Sequence, residues 1–545
     1  MKTRTKQGLV GLFATVAALL PFASTVAADA PVVVVSVASV DKLIGDIAYL
    51  TEAAGAGDFG RLMTLMIAPF TAGLQKDKPI GLYASMEDGQ PAAVLVLPVK
   101  DLRLLLAAVK DQVGEPKELD GGLLEIASDK PQPVYVKEKG GWAFVSNSKS
   151  KLANIPSDPT RLLGGLNSQY TLAVQANVQA IPAELRAMTI TQMQRGFEEG
   201  MQKQLDPRQK ELAENLGRAW VKTLTSMIQE LESVTLGWKI DPREHKTFLD
   251  VQLIAVEGSE LAKAMASGED LASSFAGFLA PGHAASLHIN SKSGDDEVAQ
   301  VLMLLGLTRE EALKGLDKQD NLSANDRETA KGLITQVLDL AEETAKSGKV
   351  NAGASLVLQS GSLSFVAGGF ISDGQKLELI LRDLSAFAVA KNPNFPGVKF
   401  NAETYGGIRM HTLGVPLPGD KTEARQVLGD PMQVVLGTGP KAVFLALGKN
   451  PETALKNVID GCRAKASEKT LPAELTVSLK PVLQFADSLD TNPGIKAGIA
   501  QLTGSGNDTI ALTITRVTRG VSVRLSVDEG VIKAAAAGVR ASQNR

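Results

Sequence analysis

The segment TIALTITRVTRGVSVRLSVDEGVIKAAAA, residues 509–537, contains two strand patterns separated by a short turn and followed by a helical pattern. Apolar residues such as Leu512 and Ile514 alternate with polar ones, so they share one face of a strand, and we expect that face to be buried. Asp528 closes the second strand and can cap the first free N–H groups of the helix. The segment therefore predicts two neighbouring strands and a helix.

The same order of patterns occurs in the first half of the chain, at residues 233–265, where SVTLGWKI precedes FLDVQLIAVEGSELAKAM. Four further pairs of segments follow one order in both halves: 32–37 with 285–290, 94–110 with 377–391, 141–146 with 441–447, and 170–181 with 474–485. In the second of these pairs, Asp101 matches Asp383 as the residue between a strand and a helix. Any α+β chain alternates strands and helices, but a shared order predicts a tandem duplication.

These patterns predict an α+β protein of two related tandem halves, each a mostly antiparallel sheet covered by amphipathic helices. We place the halves at residues 29–280 and 281–545, because a helical pattern gives way to a strand pattern at Ala280-Pro281-Gly282. A long αα-hairpin is predicted at 184–231, where apolar residues recur at helical spacing on both sides of Asp206-Pro207.

The N-terminus has the three-part layout of a secretory signal peptide. Lys2, Arg4 and Lys6 precede an apolar run at 8–23, and small residues follow up to Ala28. The alternative is an uncleaved anchor, but the run is shorter than the roughly 20 residues that span a bilayer. We expect a signal peptide at 1–28, cleaved after Ala28, a mature chain without a transmembrane segment, and a periplasmic or secreted location in a bacterium.

Cysteine content and charge agree with this location. The chain has one cysteine, Cys462, which rules out an intramolecular disulfide and suggests a bacterial envelope protein rather than a small disulfide-rich module. We expect Cys462 to be a structural rather than a reactive thiol, although the neighbouring Arg463 could lower its pKa. The 57 basic and 60 acidic side chains give a net charge of -3 without a run of five or six like charges, so we expect no nucleic-acid partner.

The sequence contains no recognisable catalytic, cofactor or metal motif, and we expect no such residues. The four histidines, at 245, 283, 288 and 411, lack the spacing of zinc ligands. His288 alternates with Leu287 and Ile289, which predicts a solvent-facing side chain. Residues 317–328 place oxygen ligands as in a calcium loop, but Leu322 occupies the position of the essential glycine, and a Ser323 helix cap explains the same residues.

A methionine-rich stripe on the predicted hairpin suggests an apolar ligand held between helices and sheet, because methionine fills irregular spaces around varied ligands. An ordinary helix-on-sheet core is the alternative. The candidate lining consists of Met188, Met193, Phe197, Met201, Trp220, Leu224 and Met227.

The order of elements resembles that of exported bacterial proteins of unknown function, in which segments like PVKDL at 98–102 and YTLAVQANVQAIPAELR at 170–186 recur. This resemblance implies an exported, duplicated α+β architecture and assigns no activity to any residue. We expect a non-catalytic envelope protein that acts as a binding or scaffold module for an unknown envelope protein. The alternatives are a carrier of a lipid or other apolar ligand, and an enzyme without a recognisable motif.

Overall fold

The computed structural model describes residues 31–87, 89–110, 114–126, 133–201, 207–266, 271–319, 322–503 and 507–543. The predicted signal peptide at 1–28 lies outside these residues, as do the side chains of residues 201–216. The chain divides into two compact units, Met1–Ala262 and Lys263–Arg545.

The first unit contains strands and helices in alternation. Its strands are β1 (Val33–Val37), β2 (Ile80–Glu87), β3 (Gln90–Pro98), β4 (Lys117–Leu119), β5 (Leu123–Ile126), β6 (Val134–Lys139), β7 (Trp142–Ser146), β8 (Leu172–Asn177), β9 (Leu231–Asp241) and β10 (Lys246–Ala255). Its helices are α1 (Val40–Ala53), α2 (Gly57–Ile67), α3 (Leu102–Ala108), α4 (Leu166–Gln169), α5 (Ala183–Met201) and α6 (Pro207–Glu230), and α7 (Glu260–Ala266) spans the division.

The strands of the first unit form an antiparallel sheet in the order β4-β5-β6-β7-β3-β2-β1-β8-β9-β10. The first strand in sequence is therefore central. It pairs with β2 along one side, where Val35 lies opposite Leu82, and with β8 along the other, where Val35 lies opposite Val174.

The second unit has its own strands and helices. Its strands are β11 (Ala285–Lys292), β12 (Lys349–Gln359), β13 (Ser362–Phe370), β14 (Lys399–Tyr405), β15 (Ile408–Val415), β16 (Met432–Gly439), β17 (Ala442–Gly448), β18 (Ala473–Ser478), β19 (Thr509–Val517) and β20 (Gly520–Asp528). Its helices are α8 (Asp295–Asp317), α9 (Ala324–Lys346), α10 (Gly374–Lys391), α11 (Thr422–Leu428), α12 (Pro451–Ala464), α13 (Leu479–Leu489), α14 (Pro493–Gln501) and α15 (Glu529–Gln543).

The sheet of the second unit has the order β14-β15-β16-β17-β13-β12-β11-β18-β19-β20, with every described pair antiparallel. This is the order found in the first unit, strand for strand, and again the first strand in sequence is central. The predicted combination of helices with antiparallel sheets is confirmed.

Residues before the expected boundary at 280 pack inside the second unit. Phe275 and Phe278 are buried against Phe444, with ring centroids 5.6 and 6.4 Å from it. The Phe278 ring also covers Gly353, where an added Cβ would lie 2.3 Å from Cδ2 of the ring. The change of pattern at Pro281 marks the beginning of a strand, whereas these aromatic contacts place the preceding segment in the second core.

Helix α10 corrects one sequence expectation. The sequence pattern predicts a strand at residues 377–382 before Asp383, but α10 is continuous from Gly374 to Lys391. Asp373 is its N-cap, and its side chain accepts hydrogen bonds from the backbone N–H groups of Gln375 and Lys376. Asp101 caps α3 in the same way. A short apolar run does not distinguish strand from helix, and here the cap that precedes it determines the outcome.

This assignment predicts different effects for the two aspartates. Asp373→Ala should lower the free energy of unfolding by about 1 kcal/mol, because it removes the acceptor for two free N–H groups. Asp383→Ala, at an exposed position within the helix, should change it by less than about 0.5 kcal/mol. Urea unfolding of both variants measures the difference, and equal losses would show that Asp373 does not act as a cap.

Candidate functional site

The central strand of the second unit buries its polar residues and exposes an apolar one. Along β11, Ser286, His288 and Asn290 are at most 3% exposed, whereas Leu287 is 38% exposed. A sheet with one face in water ordinarily shows the opposite pattern, with apolar residues inside and polar residues outside. The unusual orientation of this strand defines the surface described next.

Leu287 belongs to a row of apolar side chains that crosses the sheet. It lies opposite Ala354 on one side and Leu475 on the other, and the row continues through Leu512 to Leu525. Leu475 and Leu512 are 38% and 37% exposed. The neighbouring rows on the same face are Ala285, Val477, Ile510 and Val527, and Ile289, Ala473, Ile514 and Val523.

We call these three rows the second aliphatic face. Every one of its positions is apolar. Strands lie about 4.8 Å apart, so the central row covers roughly 19 Å from β12 to β20. The expectation that Leu512 and its neighbours would be buried is wrong, because alternation shows which residues share a face and does not show which face is covered.

The first unit has a comparable surface, the first aliphatic face. Its central row is Leu82, Val35, Val174, Leu236 and Val251, and the adjoining row is Ile80, Val37, Leu172, Trp238 and Leu249. Leu236 is 47% exposed and Leu249 is 41% exposed. The reverse side of the same strands buries Thr171, Thr235 and Asp250, each at most 2% exposed. This covered side also buries Val34 and Ala173, so it mixes polar and apolar residues, and the feature that both units share is a partly open aliphatic face.

The buried side of β11 contains a polar network centred on Ser273. The Ser273 hydroxyl donates to Asn351 Oδ1 at 2.9 Å, so the contact of 2.7 Å with His288 is a bond donated by Nε2–H of the histidine. His288 is fully buried, and the expectation that it faces solvent is wrong, because the leucine side of the strand is the open one. With its proton directed to Asn351 and its side chain fully buried, Ser273 is not placed to act as a nucleophile.

Three polar atoms beside this network have no hydrogen-bond partner among the described residues. They are Nδ1 of His288, Nδ2 of Asn351 and Oγ of Ser355. Burial lowers the pKa of His288 and raises the pKa of Glu474, which lies opposite His288 on β18. Both groups are thus held toward their neutral forms.

The residues predicted to line a ligand site lie on α5 and α6. Met188, Trp220 and Leu224 are exposed, Trp220 to 67%, and the side chain of Met201 lies outside the described residues. The remaining three, Met193, Phe197 and Met227, are half-buried. The Phe197 ring contacts Gly217, so the two helices touch at that point.

Cys462 lies buried on α12 beside Gly277, and burial raises its pKa to about 11. It is the structural thiol that the sequence led us to expect. In the calcium-like loop, Asp317 pairs with Lys331, and Ser323 caps α9 by accepting a hydrogen bond from the Asp326 N–H. Asp320 and Asn321 of that loop lie outside the described residues.

Within the described ranges, no group of three or more His, Cys, Asp or Glu side chains is arranged to hold a metal ion. The helices of the same ranges include none with the length and apolar character needed to cross a membrane. Comparisons of the chain with protein-family models, characterised proteins and solved structures find no match.

The buried histidines predict a pH dependence of stability. Burial lowers the pKa of His283, His288 and His411 from 6.5, so the unfolded chain binds more protons than the folded one below about that pH. The free energy of unfolding should fall as the pH drops from 7 to 5, by about 1.4 kcal/mol for each unit of pKa shift. Glu474 acts in the opposite direction, because its raised pKa favours folding at low pH.

Urea unfolding at pH 7 and pH 5 measures this dependence. His288→Gln should reduce the loss of stability at pH 5, because the neutral amide takes up no proton on unfolding. An identical pH dependence in the wild type and in His288→Gln would contradict the assignment.

Proposed function

We propose that the protein is a non-catalytic, exported envelope protein that holds the acyl chains of a lipid against its aliphatic faces. The observation that carries this proposal is the orientation of β11, which buries a serine, a histidine and an asparagine and leaves Leu287 exposed. Exposed contiguous apolar surface of this kind is typical of a binding site. This role corresponds to the lipid-carrier alternative of the sequence analysis. The proposed site is on the sheets and not on the methionine-rich stripe of the hairpin.

The composition of the faces favours an alkyl chain over a protein partner. Protein interfaces combine an apolar centre with hydrogen-bonding groups, at about one bond per 100–200 Å². The rows around Leu475 and Leu236 instead consist of Leu, Val, Ile and Ala, with Trp238 as the one aromatic residue. An alkyl chain needs no hydrogen bonds, and each CH₂ group that it buries contributes about 0.8 kcal/mol.

Two features of the sequence support an exported location. The apolar run at 8–23 follows three basic residues and precedes Ala28, and the chain has a single cysteine. Lipids that leave a bacterial membrane must cross an aqueous space, where a protein with an open aliphatic surface can shield them from water.

We also infer that the two units arose by tandem duplication and that α5 and α6 form an αα-hairpin. The identical strand order of the two sheets supports the duplication, and the contact between Phe197 and Gly217 supports the hairpin. Duplication explains why a partly open aliphatic face occurs in both units.

A scaffold role through self-assembly is a second candidate, favoured by helix α2. Its Gly60 packs on Thr51 and Ala48 of α1. On the outer side, Phe59, Leu62, Leu65 and Met66 are between 51% and 71% exposed. A helix with one apolar stripe turned to solvent can pack against the same stripe of a second copy around a two-fold axis.

Native mass spectrometry of the protein from its own envelope fraction, with binding of the fluorescent fatty acid parinaric acid, tests the lipid role. We expect extra mass that denaturation removes. A double variant that combines Leu236→Lys with Leu512→Lys should weaken parinaric acid binding at least tenfold, because it places a charge in the central row of each face. Val301→Lys on α8, where the native side chain is 45% exposed, is the matched control and should bind as the wild type does.

Equal binding by the wild type and the Leu236→Lys/Leu512→Lys double variant, with the variant folded by circular dichroism, would rule out the faces as the site. Bare protein mass at multiples of the monomer, dissociated by Leu65→Lys, would instead support the scaffold role.

A further inference from the structure

The second unit holds a buried charge cluster beneath helix α10. Glu378 on this helix is 6% exposed, and its carboxylate contacts two arginines, Arg382 at 2.8 Å and Arg409 at 2.7 Å. The Thr438 hydroxyl on β16 lies 3.3 Å from the same carboxylate and donates to it. One buried carboxylate thus has two cationic partners.

His411 completes the cluster in its neutral form. Its Nδ1 accepts a hydrogen bond from the Asn401 N–H at 3.1 Å, so Nε2 carries the proton and donates to Thr438 at 2.9 Å. Burial lowers the pKa of His411. The positive charges of Arg382 and Arg409 lower it further, whereas the negative charge of Glu378 raises it. Two arginines and one glutamate therefore give the cluster a net charge of +1.

The corresponding place in the first unit is apolar. Glu378 lies as many residues along the chain after its helix cap Asp373 as Leu106 lies after the cap Asp101. The two residues therefore occupy equivalent positions in α10 and α3. Each sheet can be followed from its central strand toward one edge through residues that lie opposite each other on neighbouring strands. From β1 this row is Val35, Leu82, Leu95, Val145, Val136 and Leu124. From β11 it is Leu287, Ala354, Ala367, Leu445, Leu436 and His411. His411 thus occupies the place of Leu124.

Leu106 and Leu124 pack against one apolar cluster in the first unit. The same strand order is therefore stable with leucines at both positions. Replacing them with a carboxylate and an imidazole adds a desolvation cost that a well-packed apolar pair avoids. The presence of the charged pair in one unit alone points to a role other than stability.

A groove opens beside the exposed end of this cluster. Its volume is about 560 Å³, and its lining includes Arg382, Val389, Val398 and Phe400. The Arg382 guanidinium stacks on the Phe400 ring, 4.4 Å from the centroid, and is 40% exposed. Helix α10 continues to Lys391, past the position that corresponds to Ala108 at the end of α3, and its later residues form one wall of the groove.

We propose that this groove binds a small organic carboxylate with an apolar body. The carboxylate accepts hydrogen bonds from Arg382, whose planar fork matches two carboxylate oxygens, and the apolar body lies along Val389, Val398 and Phe400. Arg409 remains on Glu378 when Arg382 turns to the ligand, so the buried carboxylate keeps a cationic partner.

The site is separate from the lipid role proposed above, and its test uses a ligand too short to span an aliphatic face. Saturation-transfer NMR measures binding of 3-phenylpropionate to the full chain, with 3-phenylpropanol as the neutral analogue and phenyl phosphate as a second anion. We expect 3-phenylpropionate to bind at least tenfold more tightly than the alcohol. Arg382→Gln should remove that preference, because it deletes the charge-assisted hydrogen bonds.

Lys110→Gln is the matched control, since Lys110 occupies the position of Arg382 in the first unit, and it should bind as the wild type does. Arg382→Lys keeps the positive charge but loses the planar guanidinium, so it should retain part of the preference for the carboxylate over the alcohol. This variant is the test if Arg382→Gln does not fold. Equal binding of carboxylate and alcohol, tighter binding of phenyl phosphate than of the carboxylate, or an unchanged preference in both Arg382 variants would overturn the proposal.

Discussion

The central position of the first strand is the constraint on which each sheet depends. In sequence, β1 is separated from β8 by most of its unit, yet it pairs with β8 on one side and with β2 on the other. Strand β11 does the same between β12 and β18. Each strand joins two blocks that would otherwise have open edges, and its register fixes the face on which every neighbouring residue lies, because a slip of one residue would exchange the two faces.

This constraint explains how buried polar and exposed aliphatic residues coexist in a stable sheet. On the inner side, the segment that precedes β11 supplies Ser273, which bonds to His288 and Asn351, and Phe278, which covers Gly353. These contacts satisfy several polar groups that would be costly to bury alone. On the outer side, each leucine left about one-third exposed forgoes part of the roughly 1.5–3 kcal/mol that full burial contributes. An acyl chain on the face would recover that part.

Local patterns predicted the parts of the fold that depend on local interactions. Alternation located β19 and β20, and the Ser323 and Asp101 caps follow from side chains that bond to nearby N–H groups. Alternation could not show that Leu512 lies on the open face, because that depends on which segments cover the sheet. Glu378 and His411 are brought together across three elements, so no spacing along the chain could pair them. Asp383 lies within a helix and not between a strand and a helix, a difference the pattern could not show because an apolar run fits strand and helix equally well.

Photocrosslinking with a diazirine fatty acid tests the central claim most directly, since it reports which residues touch an acyl chain. After irradiation and proteolysis, mass spectrometry locates the modified peptides. The account predicts labels on β11, β18 and β19, around Leu287, Leu475 and Leu512, and on β8 and β9 around Val174 and Leu236. Labels confined to α5 and α6, or to α2, would contradict it.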